Sequence, residues 1–177
     1  YWRVLNAAEK NPAWKQNRAW FRQDRIRREA LILKSIGELS HFVGDGSQPL
    51  HVTTHFNGWG DYPNPNGYST ARLHGPFESE LVQATVRPAA VRARMAAPRP
   101  CGCAIEQRVA DYLVTTGKLV IPFYELEKAG GLAGGDPRGT AFATERLAVG
   151  ASELRDVIAE AWRASENSKV GWKPVAV

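Results

Sequence analysis

The chain holds four histidines, His41, His51, His55 and His74, all within residues 41–74 of a 177-residue sequence. Two of them stand four residues before a carboxylate: His41 before Asp45, and His74 before Glu78. On a helix that step puts both side chains on one face, a turn apart. Neutral imidazole and carboxylate are also the nitrogen and oxygen ligands that zinc takes. A fold that uses these residues together must bring two helix faces, and the loop between them, to one point. No other feature of the sequence restricts the architecture as strongly.

The hydrophobic spacing is compatible with that demand. Residues 2–10 read as a helix stopped at Asn11-Pro12, because proline disfavours helix in the residue before it. A helix is expected from Asp24 to Val43, where Ile26, Leu33, Ile36 and Leu39 recur at helical steps. Asp24 is its expected N-cap and Gly44 its expected stop. Residues 46–70 read as a long irregular loop rich in Asn, Gly and Pro, with Phe56, Trp59, Tyr62 and Tyr68 interleaved. Loops of that length inside a domain are usually functional. A helix follows from Thr70 or Gly75 to Val86, with Pro76 suited to its first turn. Residues 87–103 read as a linker or surface excursion. Helical patterns resume over 104–129, and Gly130, Gly131, Gly134, Gly135 and Pro137 break the chain. A last helix covers 140–166, with Leu147, Leu154, Val157, Ile158, Ala161 and Trp162 along one stripe, and an extended tail is expected from Asn167. No alternating strand pattern occurs. The expectation is an all-α, single multi-helix domain over residues 1–177 with long irregular loops.

Composition narrows the partners. Hydrophobic residues at 44% and charged residues at 23% suit a packed globular core. No apolar run approaches the ~18 residues of a membrane span. A formal charge of +5 points weakly to a polyanionic partner. Much of it comes from Arg22, Arg25, Arg27 and Arg28, which read as a solvated helix face. Cys101 and Cys103 flank one glycine. A bridge would close a very small ring, so they read as free thiols.

The histidines and carboxylates divide by position. His51, His74 and Glu78 make two imidazoles and a carboxylate, the protein-ligand composition of a catalytic zinc that keeps a position open. Pro49 forces the turn that presents His51, and His41 and Asp45 remain as half of a neighbouring site. Taken singly, each residue has a plainer reading as a cap, turn or helix-end charge. His55 lies outside the pattern and reads as loop surface or as a contact to substrate.

The stretch His41-Phe42-Val43-Gly44-Asp45-Gly46-Ser47-Gln48-Pro49-Leu50-His51, followed by Leu73-His74-Gly75-Pro76-Phe77-Glu78, resembles the zinc-binding core of the bacterial zinc-dependent phospholipases C and the zinc-dependent single-strand-specific nucleases. The likeness covers residues 36–82; elsewhere it rests on helical character. It implies an all-α hydrolase fold holding up to three zinc ions. His41 and Asp45 would serve a buried pair, with Asp45 bridging, and His51, His74 and Glu78 an exposed third. The implied activity is phosphodiester hydrolysis. The leading expectation is a nuclease acting on nucleic acid or nucleotide, the alternative a phospholipase C acting on a phospholipid head group. A helical remnant or binding domain with one zinc and no catalysis is a third reading. His55, Asn57, Trp59 and Tyr62 are the expected substrate contacts. The resemblance also implies a secreted or periplasmic protein, and a monomer is expected.

The sequence departs from that pattern upstream. The family uses an N-terminal Trp, an early His and a further Asp and His before the His-x3-Asp pair. No histidine precedes His41, and Asp24 is the sole aspartate there. The expectation is an N-terminally truncated chain, the C-terminal part of a longer catalytic domain, completing by itself only the exposed zinc.

Overall fold

A computed structural model describes residues 1–168. It is all-α: 72% of the described residues are helical, and no strand or sheet forms among them. The helices are α1 (Trp2–Lys10), α2 (Arg18–Ser47), α3 (Val82–Thr85), α4 (Pro88–Arg94), α5 (Ile105–Gly117), α6 (Val120–Lys128) and α7 (Pro137–Ala164). A π-helical turn, Pro76–Leu81, runs directly into α3. Short 3₁₀ segments occupy Pro12–Asn17, Pro49–Val52 and Ser165–Asn167. The chain divides into two compact units, one of Tyr1–His41 with the segment from Val157, the other Phe42–Asp156.

In the first unit a small apolar cluster joins Leu5 and Ala8 of α1 to Phe21 of α2. Polar ties surround it. Trp2 Nε1 donates to Glu29 Oε1 at 2.8 Å, and Arg25 bridges Glu9 and Glu29 at 2.9 and 2.7 Å. Arg3 donates to Ser165 Oγ and to the Trp162 carbonyl, with its guanidinium 4.3 Å from the Trp162 ring centre. Arg25 is therefore engaged rather than simply solvated, and the Arg28 guanidinium lies 4.5 Å from the Tyr1 ring centre. The expected apolar stripe of α2 does not face a core throughout: Leu33 is 70% exposed and Ile26 51%.

Both expected ends of α2 are corrected. The helix starts at Arg18, and Asp24 lies inside it, 3.8 Å from Arg28 one turn on. It runs through Gly44 and Gly46 to Ser47 and stops where Gln48 turns extended (φ −96°, ψ 118°) ahead of Pro49. The residue before a proline is pushed out of the helical region, and here that constraint decides the end rather than a glycine. Pro137 likewise opens α7 instead of only breaking the chain, since a first-turn proline gives up no hydrogen bond. Residues 87–103 contain α4, and 104–129 form two helices separated at Lys118 and Leu119. The tail expected to be extended from Asn167 lies almost wholly outside the described residues.

The second unit has the larger core. Leu50, Trp59, Tyr68, Leu73, Phe77, Leu81, Val120, Phe123, Tyr124 and Ala143 form one buried cluster. Phe123 and Tyr124 are fully enclosed, with Phe77 edge-on to Phe123 at 4.9 Å between ring centres. Residues from the 46–70 loop and the π turn thus meet α6 and α7, and this packing fixes the backbone on which the ligand candidates stand.

Cys101 and Cys103, expected as free thiols, are joined by a disulfide with their Cα atoms 5.1 Å apart. Gly102, at φ +64°, turns the backbone through a region that only glycine adopts freely, so the two cysteines come within bridging distance. Nearby, Asp156 accepts from the Arg99 amide at 3.1 Å and from Arg155 Nε at 2.7 Å, and Arg108 pairs with Glu153. These contacts tie the 95–104 segment and α5 to α7.

Candidate metal centre

Gln48, Asn57 and the π turn assemble the site. After α2 ends, the Gln48 side-chain oxygen accepts the Leu50 amide at 2.5 Å and starts the 3₁₀ turn that carries His51. The other end of the same side chain donates to Glu78 Oε1 at 3.1 Å. One residue therefore shapes the turn under His51 and orients the carboxylate opposite it. On the far side, Asn57 Oδ1 accepts the backbone amides of Leu73 and His74 at 3.1 and 3.2 Å. His74 begins the helical segment and Glu78 follows one turn later within the π turn. Single π turns recur at functional sites, and the proline at its start leaves no unpaired amide.

His51, His74 and Glu78 each offer a ligand atom, and these atoms lie within 4.8 Å of one another. His51 Nε2 is 2.8 Å from Glu78 Oε1, and His74 Nε2 is 3.1 Å from Oε2. The two imidazoles meet edge to face, 4.6 Å between centres. Asp45 flanks the group with Oδ1 3.8 Å from His51 Nε2. Zinc–nitrogen bonds of about 2.0–2.1 Å in a tetrahedron separate ligand atoms by about 3.4 Å, inside the observed range.

The chemistry of His74 also suits a cation. Its Nδ1 faces the Phe56 carbonyl at 2.9 Å while Nε2 faces the Glu78 carboxylate. Both neighbours only accept. Either the ring carries protons on both nitrogens, or Nδ1–H donates to the carbonyl and Nε2 gives its lone pair to a metal. The second arrangement is the usual one for metal-bound histidine, whose remaining N–H is held by a carbonyl or carboxylate. Glu78 is poised as an anion. Burial opposes its ionisation, but the Gln48 and His51 hydrogen bonds and the positive potential of both histidines outweigh that and hold the carboxyl below its ordinary value.

The other expected site residues fall as follows. His41 stands one turn before Asp45 on α2 and is not part of the converging group. His55 stacks flat on Trp59 at 3.8 Å and its Nδ1 is 2.8 Å from the Trp59 carbonyl. Trp59 is buried, with Nε1 donating to the Pro63 carbonyl. Asn57 is committed to the backbone of 73 and 74. Tyr62 is half exposed and meets His55 edge-on. Gln48 and the Phe56 carbonyl are contributors that sequence reasoning missed. Gln48 was visible inside the motif, but its dual bond depends on a partner 30 residues away.

Comparison of the chain with family models, with curated proteins and with solved structures finds no match.

Proposed function

We propose that His51, His74 and Glu78 hold a zinc ion in a phosphoester hydrolase, with a nucleic acid or nucleotide as substrate. The observation that carries this reading is the convergence of two imidazole nitrogens and a carboxylate from separate segments, with His74 oriented by a carbonyl. A bound zinc would supply an activated water and neutralise charge on phosphoryl oxygens. The chain's own residues do the rest. Gln48 orients the Glu78 carboxylate, and the Phe56 carbonyl fixes the His74 ring. Asp45, beside His51, adds a second carboxylate that can receive a proton or extend the ligand set.

The +5 charge favours a polyanionic substrate, and Phe56 and Tyr62, each more than half exposed, are the loop aromatics free to stack on a base. Trp59 and Tyr68 are spent on the core.

The experiment is hydrolysis by zinc-supplemented protein of single-stranded DNA, of phosphatidylcholine vesicles and of bis(p-nitrophenyl) phosphate. Zinc-dependent cleavage of the DNA and the small diester, lost in Asp45→Asn, is expected. Turnover of the vesicles alone would move the substrate to phospholipid. No zinc-dependent turnover of any of the three would refute the hydrolase.

A further inference from the structure

Beside the ligand group lies a cavity of about 210 Å³, lined by Asp45, Gln48, Phe77, Glu78, Arg146 and Leu147 among others. It belongs wholly to the second unit, and it is built by the end of α2 with Gln48, the π turn with the start of α3, and α7. Two carboxylates of the ligand region stand in its wall together with one guanidinium.

The placement of Arg146 follows from small residues elsewhere on α7. Gly150 is one turn after Arg146 and so lies on the same helix face. A methyl group added at Gly150 would sit 3.1 Å from Ser47 Oγ and 3.8 Å from the Gly44 Cα. The glycines let α7 press against the end of α2 at backbone distance. Ser47 is buried at this contact, its hydroxyl donating to the Gly44 carbonyl at 2.7 Å. Tyr112 of α5 closes the same junction, donating to the Val43 carbonyl at 2.8 Å. Burial pushes its phenol up to about 12, so it remains a donor. With α7 seated in this way, Arg146 comes to the cavity wall shared with Asp45 and Glu78.

Arg146 is not consumed by the fold. Among the described residues its guanidinium has no hydrogen bond and no carboxylate at ion-pair distance, and its one ring neighbour, Phe142, lies 6.0 Å away. Burial pulls the guanidinium below its ordinary value, with Glu145 and Tyr112 pulling the other way. None of its nitrogens is a buried atom lacking a partner, so the guanidinium is open to an anion that enters the cavity. Other arginines of this unit are engaged: Arg108 on Glu153, Arg155 on Asp156, Arg138 on Asp136.

We propose that Arg146 binds the phosphoryl oxygens of the substrate, from the wall of the cavity facing the ligand group. A planar guanidinium matches two oxygens of one phosphate, which a lysine ammonium does not. The apolar lining of the same cavity, Phe77 and Leu147, accepts the ester substituent. This rests on the phosphoester reading above and makes it more specific: the group recognised is a single tetrahedral oxyanion seated between Arg146 and the zinc ligands.

The test is calorimetric titration of inorganic phosphate into the protein, with and without added zinc, for wild type, Arg146→Lys and Arg146→Ala. Zinc content and the far-ultraviolet circular dichroism spectrum are measured on each. Wild type should bind phosphate. Arg146→Ala should weaken it at least tenfold with zinc content and helicity unchanged, and Arg146→Lys should recover only part. Equal phosphate affinity in wild type and both variants, or no phosphate binding by wild type, would overturn the proposal. If Arg146→Ala loses helicity, the Arg146→Lys comparison decides: full affinity overturns, partial affinity supports. Absence of zinc with phosphate binding that still requires Arg146 would refute the metal reading and leave this one standing.

Discussion

Asn57 Oδ1 accepts the backbone amide of His74 at 3.2 Å, across 17 residues of sequence. The same oxygen takes the Leu73 amide, so one side chain positions the start of the segment that carries both His74 and Glu78. Asn57→Ala should leave the helices in place and weaken zinc binding about 10- to 100-fold, the usual cost of removing a group that orients a ligand. Competition with a chromophoric chelator measures it. Unchanged affinity would mean that His74 is held by the Phe56 carbonyl alone.

Gly58→Ala should destabilise the second unit. Gly58 has φ +97°, and a Cβ there would lie 2.5 Å from the Ala71 carbonyl oxygen and 2.7 Å from that of Thr70. The contacts are to backbone, so no side chain can move aside. Strain of this kind costs more than about 1 kcal/mol. A lowered urea midpoint with an unchanged slope is the expected result.

Asp156 is 7% exposed and gathers the Arg155 side chain and the Arg99 amide, with Arg108 nearby. Arg155's hydrogen bond is the main influence holding its carboxyl below the ordinary range, against the opposing effect of burial. A depressed folded-state value means that the ionised form stabilises the fold above the ordinary carboxylate range. The contribution is lost as pH falls through the depressed value. Asp156→Ala should therefore cost about 1–3 kcal/mol at neutral pH, the range for losing charge-assisted hydrogen bonds whose arginine partners keep access to water or to Glu153. Asp156→Asn should approach wild-type stability in strong acid. Denaturant titrations at pH 7 and below pH 3 compare the two.

What the sequence shows of this molecule depends on how local the cause is. The helix over residues 2–10 and the one-turn pair His74–Glu78 follow from spacing and proline chemistry, and the structure has them; the loop expected over 46–70 begins only after Ser47 and opens with the 3₁₀ turn Pro49–Val52. The end of α2 was not legible, because Gly44 and Gly46 are kept helical by contacts with α5 and α7: a methyl on Gly46 would meet Tyr112 at 2.7 Å. The loop aromatics illustrate the same limit. Trp59 and Tyr68 look like Tyr62 in the sequence, yet Tyr124, 56 residues beyond Tyr68, draws both into the core. The cysteine bridge depends on one glycine torsion, and the π turn leaves no mark in residue type. Gln48's double role and Arg146's position are tertiary consequences altogether.

Elemental analysis of protein purified without chelator asks whether His51, His74 and Glu78 hold a divalent metal. At least one zinc per chain is expected, reduced severalfold in His74→Ala and in Glu78→Gln while the circular dichroism spectrum stays helical. Wild-type protein free of zinc, and unable to take it up from a micromolar zinc buffer, would contradict the metal reading.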